Sequence, residues 1–312
     1  MTLGSWLALV VALVAAGELV RALRQRALRG NRGGDRWRRF FKHRTTSWGI
    51  GTITFLVIVA IAAPLVAPYP PNQQLDIVQL KNHGPSWTFI LGTDVLSRDV
   101  WSRLVWGARV SLGIGALGAL VAISVGTVVG ALAGYYRRWV DTLLMRSVDV
   151  GLALPRIFIL LMVVALWDGL PFAALVLAIG LTSWFGTSRL VRAEVLSLRE
   201  REFVMAARAL GADGARVIFR HVLPNAAAPI IVSAALSVGN VLLLEASLSF
   251  LGIGVAPPDP SWGNMIADGA STIYNAPWTT LFPGLAIAVV VMSLNAIADG
   301  LRDALDPREE PV

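Results

Sequence analysis

The 312-residue chain has no cysteine, only two lysines and three histidines, and only 15% charged residues. Without cysteine there are no disulfides, no thiolate-bound zinc, no iron–sulfur cluster and no thiol nucleophile. The two lysines, Lys42 and Lys81, follow Phe41 and Leu80. A phosphate loop ending in Gly-Lys-Ser/Thr therefore cannot be assembled here, which excludes that route to ATP chemistry on this chain. His43, His83 and His221 stand singly, without the paired spacing of metal ligands, so no metal site is expected. The nucleophile elbow Gly-x-Ser-x-Gly is also missing. No catalytic cluster emerges. A soluble domain would carry roughly 25% charged residues, well above this chain.

What the chain has instead is apolar length. Hydrophobic residues make up 55% of it, and its mean hydropathy is +0.65. Roughly 20 apolar residues cross a bilayer as a helix. Seven apolar stretches fit that description, at 4–20, 48–68, 107–134, 150–167, 171–188, 226–250 and 279–298. The fourth and fifth are separated only by Asp168-Gly169-Leu170-Pro171, which predicts a tight antiparallel hairpin. The alternating polarity of barrel strands is absent, so the expected fold class is an all-α membrane protein.

Orientation follows from Lys and Arg, which favour the cytoplasmic side. Ten of them lie between Arg21 and Arg44 against one acid, Asp35, and seven more lie from Arg189 to Arg220. Arg137, Arg138, Arg146, Arg302 and Arg308 fall on the same side, whereas Gly252 to Pro283 holds no basic residue. The net charge of +7 is thus mostly a topology signal and does not imply nucleic acid. The first stretch has its charges after the apolar run, the reverse of a cleavable signal peptide. It is expected to be a membrane helix with its N-terminus outside.

Within the third stretch, Gly126, Gly130 and Gly134 recur at four-residue spacing after Gly115 and Gly118, a pattern that permits close helix packing in lipid. Ionisable residues in or beside the stretches are Arg156, Asp168, Glu245 and Asp299. Arg156, Asp168 and Asp299 lie near span ends, within reach of water. Glu245 does not, and together with Asn240 in the same stretch it is a candidate for a translocation path.

The most informative segment is Arg189 to Pro224, RLVRAEVLSLREREFVMAARALGADGARVIFRHVLP. It predicts two helical runs, 190–211 and 214–221, meeting at Gly211-Ala212-Asp213-Gly214. Ala206, Ala207 and Leu210 form a small apolar face edged by Arg199, Arg201, Glu202 and Arg208, suited to insertion into a partner's groove.

Met205-Ala-Ala, Gly211 and His221-Val222-Leu223-Pro224 at this spacing resemble the EAA loop of ABC importer permeases. Three further segments are similar to the dipeptide/oligopeptide/nickel permease family, specifically its second permease subunit type: Leu91-Gly-Thr-Asp94 through Arg103 to Leu112; Trp139-Val-Asp141 through Pro155; and Glu245-Ala-Ser-Leu-Ser-Phe-Leu-Gly252 through Trp262-Gly-Asn264. The similarity covers roughly residues 40–307. It departs at Met205, where the family usually has Glu, with Glu202 nearby.

The resemblance implies a six-helix importer permease core, to which the first helix is an addition. The expected parts are an N-terminal helix at 1–24, a basic cytoplasmic linker at 25–47, a permease domain at 48–307 and a tail at 308–312. Within the domain, 189–224 is the coupling loop, and 69–106 and 252–278 are outer loops. The implied partners are a second homologous permease, two ATPase subunits carrying ATP and Mg²⁺, and an extracytoplasmic solute-binding protein, at a bacterial inner membrane. This chain itself would bind no cofactor and be no enzyme.

The implied ATPase-coupling residues are Glu202, Met205, Ala206, Ala207, Arg208, Gly211, His221, Leu223 and Pro224. Trp262 and Asn264, after the stiff Pro257-Pro258-Asp259-Pro260 run, are candidates for an outer gate or a binding-protein contact. The implied cargo is dipeptides or oligopeptides. Nickel or another small solute is the alternative within the family, though no histidine lies in a span. A secondary transporter or channel would call for internal repeats and intramembrane ion sites, and neither is evident.

Overall fold

The computed structural model describes residues 3–29, 38–166 and 171–305, and the described chain is helical with no β-strand. The predicted hairpin turn at Asp168 and the tail at 308–312 lie outside these residues. The helices are α1 (Leu3–Arg29), α2 (Arg44–Ile61), α3 (Ala63–Val66), α4 (Val100–Tyr136), α5 (Arg138–Ala153), α6 (Arg156–Ala165), α7 (Phe172–Leu181) and α8 (Phe185–Leu198). They continue as α9 (Glu202–Ala209), α10 (Gly214–Arg216), a π-helical turn Val217–Val222, α11 (Leu223–Asn225), α12 (Ala227–Phe250), α13 (Trp262–Ala270) and α14 (Trp278–Leu305).

Five helices, namely α1, α2, α4, α12 and α14, are long and apolar enough to cross a membrane singly. Two bent pairs pass the same test together, α5 with α6 at 86° and α7 with α8 at 46°, which gives up to seven spans among the described residues if each pair is one span. The fourth apolar stretch is therefore not one helix from 150 to 167. It straddles a break at Leu154-Pro155, where proline has no N–H to continue the ladder and crowds the preceding turn. Between α7 and α8, the Thr182 and Ser183 hydroxyls donate to carbonyls of the preceding turn, as side chains do where they compete with helical hydrogen bonds.

The third stretch is longer than its apolar run suggests, because α4 begins at Val100, seven residues before 107. Asp99 caps it, accepting from Ser102 N at 2.8 Å and Ser102 Oγ at 2.6 Å. Polar residues in that first turn lowered the hydropathy without interrupting the helix. The helical run expected over 190–211 is also split. It ends as α8 at Leu198 and resumes as α9 at Glu202.

α4 is the central element. Its glycines face neighbouring helices, and a Cβ added at Gly130 would lie 2.5 Å from the Ser188 carbonyl oxygen of α8. At Gly134 it would meet the Arg192 carbonyl at 2.9 Å, and at Gly126 the Thr187 Cβ at 2.7 Å. Backbone thus packs on backbone between α4 and α8, as small residues allow where lipid removes the usual drive for burial. Gly115 and Gly118 do the same toward Val238 and Val241 of α12.

Candidate functional site: the coupling segment and the outer face

At the C-terminal end of α4, the segment from α8 to α11 folds over a buried cluster of Ala131, Val191, Val195, Val204, Val217, Ile218 and Val222. Val204 anchors α9 in this cluster. The opposite side of α9 points outward, with Met205 50% and Leu210 89% exposed beside exposed Phe203 and Ala206. Ala207 and Arg208 are half-buried, so the outward face is centred on Met205, Ala206, Ala209 and Leu210 and not on the Ala206–Ala207 pair. Glu202 is exposed at the first turn of α9, where the helix dipole favours an acid.

Gly211 closes α9 as the spacing predicts. Its φ is +84°, with nothing within 4 Å of an added Cβ. Gly211 N donates to Arg208 O at 2.9 Å and Ala212 N to Ala207 O at 3.1 Å, the paired bonds of a Schellman cap. Asp213 then accepts from Arg216 N at 3.2 Å and starts the next turn.

His221 is half-buried on the π-helical turn, with Leu223 half-buried and Pro224 exposed just after it. Sequence reasoning anticipated a plain helix here. A π turn widens the helix by one residue and is frequent at functional sites.

The segment is fixed to the bundle by charge. Arg192 pairs with Asp141 of α5, and Arg189 with Asp149 at 2.5 Å. Arg199 donates to Tyr135 O at 2.5 Å, and the Arg208 guanidinium sits 4.8 Å over the Tyr135 ring. Burial, together with the nearby Arg137 and Arg208 charges, pushes the Arg199 pKa below the usual arginine value, and Glu200 partly offsets this.

The other end of α4 carries a network that sequence reasoning missed. Asp94 Oδ2 accepts from Arg98 Nε at 2.6 Å and Arg103 Nη1 at 2.8 Å. Asp268 Oδ2 of α13 accepts from Arg98 Nη2 at 2.9 Å and Arg103 Nη2 at 3.0 Å. Arg103 and Asp94 are buried, so both depend on these partners. The signal was the motif Asp94 to Arg103 itself, but Asp268 lies 165 residues after Arg103 and nothing local marks it.

Trp262, a candidate for an outer gate or a binding-protein contact, packs inward. It is 1% exposed, its Nε1 donates to Leu104 O at 3.0 Å, and its backbone N donates to Ser111 Oγ at 3.0 Å. Asn264 is half-buried in a capping box with Ser261 and donates to Asp259 O at 2.9 Å. The proline run ahead of Trp262 therefore steers the indole inward, into a core with Val100, Leu242 and Met265. The aromatics that do reach out on this side are Trp87 and Tyr274, each 97% exposed.

Glu245 is fully buried and lies within the chain's own packing, not on an open wall. Ser249 Oγ donates to its Oε1 at 2.7 Å, while Oε2 is buried without a hydrogen-bond partner, near the Ser111 and Ser261 hydroxyls. Each serine oxygen already accepts a backbone N–H, from Val255, Trp262 and Asn264 respectively, which leaves its proton free to donate. Asn240, by contrast, is exposed on α12.

A helical bundle with a short helical segment docked on α4 and α8 fits an importer subunit, and comparison decides the family. The family model described as "Binding-protein-dependent transport system inner membrane component" matches residues 126–310. This chain belongs to that family.

The model for the N-terminal TM domain of oligopeptide transport permease C matches residues 31–85, so this transport-component chain carries both parts. A putative peptide permease protein of Brucella suis is 43% identical over 274 residues, covering 87% of this chain and 90% of that protein. The dipeptide transport system permease protein DppC of Alkalihalophilus pseudofirmus is 44% identical over 279 residues, with the same coverage. Among solved structures, an inward-facing MetNI methionine ABC transporter chain superposes with a TM-score of 0.51 at 18% identity, over 65% of this chain and 96% of that one. That likeness bears on fold alone. The inner membrane component is a multi-pass membrane protein of the ABC importer permease type.

Proposed function

We propose that this chain is one of two transmembrane permease subunits of an ATP-driven importer for dipeptides or oligopeptides in a bacterial inner membrane. The observation that carries the reading is the coupling segment: an outward apolar face on α9, closed by Gly211 and held rigidly on α4 and α8. The peptide assignment is supported by what the most similar relatives are named for.

In the mechanism, cytoplasmic ATPase subunits receive the Met205–Leu210 face in a groove. ATP and Mg²⁺ bind to those subunits and supply the energy of closure. Closure moves α9, and the packed pair α8 and α4 carries the motion through the bilayer, switching the bundle between outward- and inward-facing states. The translocation path runs along the open face of α12, where Asn240 stands in a polar stripe with Ser233, Ser237 and Ser247. A hydrogen-bonding stripe turned away from the chain's own core suits a wet wall better than lipid. Glu245 holds that wall in place from behind. On the outer side, the solute-binding protein docks over the exposed rings of Trp87 and Tyr274.

The test is reconstitution of all subunits in vesicles. Peptide uptake should require ATP, the binding protein and an intact α9 face together. Uptake that proceeds without any ATPase subunit would overturn the reading.

A further inference from the structure

A cleft of ≈ 440 Å³ opens between α8, α12 and α14 at the cytoplasmic side, near the start of the coupling segment. Pockets of about 300–1,000 Å³ accommodate small ligands. Glu194 of α8 lines one wall, Arg302 of α14 another, and Ser233 of α12 lies with Pro229, Val232 and Leu236 on a third. The remainder of the lining is apolar.

Glu194 and Arg302 are the ionisable residues of the lining, and several charges near them are engaged elsewhere. On α8, Arg189 and Arg192 pair with Asp149 and Asp141, and on α14, Asp303 pairs with His43. Glu194 and Arg302 have no ion-pair partner among the described residues. An acid and a guanidinium on separate walls of an apolar cleft are complementary to a ligand with an ammonium at one end and a carboxylate at the other.

We propose that this cleft is the inner station of the translocation path, where Glu194 receives the free α-ammonium of a peptide and Arg302 its carboxylate. The inference rests on the peptide-importer reading and adds the ligand's required chemistry: both termini free. Arg302 suits the carboxylate because a guanidinium fork matches its two oxygens. Ser233 offers a hydrogen bond to the peptide backbone, and the apolar lining tolerates varied side chains. An anionic lipid headgroup fits less well, since Glu194 would repel it. The Ser233 end also continues the polar stripe of α12, so cargo passing Asn240 arrives here next to α8, the helix that bears the coupling segment.

The native chain lacks cysteine, which makes a reporter simple to place. Ser233→Cys is introduced into the complete complex in vesicles, and its labelling by a neutral maleimide from the cytoplasmic side is timed. Leu236→Cys serves as the second reporter if the first assembles poorly. Millimolar dialanine should slow labelling roughly tenfold, the scale of a charge-assisted contact, while N-acetyl-dialanine amide should not. Glu194→Gln and Arg302→Gln should each remove most of the protection. Equal protection by the free and capped peptides would overturn the proposal. So would a reporter that is unlabelled with or without peptide, because the paired permease would then fill the cleft. If the unmodified complex imports dialanine and the reporter is indifferent to it, only this inference falls. If no peptide is imported at all, the importer reading falls with it.

Discussion

Arg192 on α8 grips Asp141 on α5 with two parallel hydrogen bonds, Nε to Oδ1 at 2.5 Å and Nη2 to Oδ2 at 2.6 Å. Asp141 is mostly buried at 18% side-chain exposure and Arg192 is partly so at 33%, so the pair is sheltered without being dry. Two-pronged pairing fixes orientation as well as distance, which a point charge would not. It ties α8 to the first turn of α5, just after the junction with α4.

Replacing Arg192 by Lys keeps the charge but loses the fork. Uptake should fall while ATP hydrolysis persists, because coupling free energies of about 1–3 kcal/mol separate tight from slack transmission. The ratio of peptide imported to ATP hydrolysed is the measurement. An unchanged ratio in Arg192→Lys would show that the pair does no more than hold the fold.

Gly211→Val should strain the left-handed residue that ends α9, at a cost of roughly 1 kcal/mol or more. No neighbour would obstruct the added side chain, since nothing lies within 4 Å, so the effect is conformational. Chain abundance in the membrane should be normal and ATPase co-purification reduced. Ala206→Trp, on the outward face, should block docking more completely than Ala207→Trp, which meets the chain's own packing first.

Trp262→Ala should lower stability by about 3–5 kcal/mol, the range for emptying an aromatic from a core. Trp87→Ser and Tyr274→Ser should leave stability unaltered and reduce only the stimulation of ATPase by the binding protein. Thermal unfolding separates the two classes. A stable Trp262→Ala protein with lost stimulation would return the indole to the interface.

Glu245→Gln probes whether this buried site needs a carboxylate, which accepts from Ser249 Oγ at 2.7 Å. An amide places two donors among hydroxyls whose own protons need acceptors, so one buried contact becomes donor against donor at a cost of about 1–3 kcal/mol. Protease cleavage in the segment 252–260 should quicken in detergent. Glu245→Gln with native protease resistance would remove the carboxylate from this role.

Asp268→Asn should loosen the 76–98 loop, because Arg103 would then rely on Asp94 for its charge partner. Removing one member of a buried pair costs about 3–5 kcal/mol when the other is left uncompensated, and here Asp94 retains part of that. Asp94→Asn should be the more damaging of the two. Asp94 also caps the turn through Leu96 N and Arg98 N, both at 2.9 Å. Cleavage of the 76–98 loop by added protease ranks them.

The membrane class, the approximate spans and the closing of α9 at Gly211 were legible in the sequence because each depends on local composition. The bend at Pro155 was also marked, but a hydropathy window averages across it. Trp262 shows the limit in the other direction. An aromatic after prolines reads as a gate or contact residue, and the Leu104 carbonyl and the Ser111 hydroxyl that hold it inward both lie more than 150 residues earlier. The meeting of Glu194, Ser233 and Arg302 around one cleft needs three helices in register, which no single segment encodes.

α4 has 37 residues and no proline, which at about 1.5 Å per residue makes a rod of roughly 55 Å. Its first turn holds Arg103 in the outer salt network, and its last holds Tyr135 under Arg199 and Arg208. One unbroken shaft therefore links the Asp94–Arg103–Asp268 network at one end to the α8–α9 segment at the other. A tilt imposed at either end reappears at the other with its sense reversed about the Gly115–Gly118 fulcrum. In the importer proposed above, news of a docked binding protein would reach the ATPases along this rod while each helix keeps its fold.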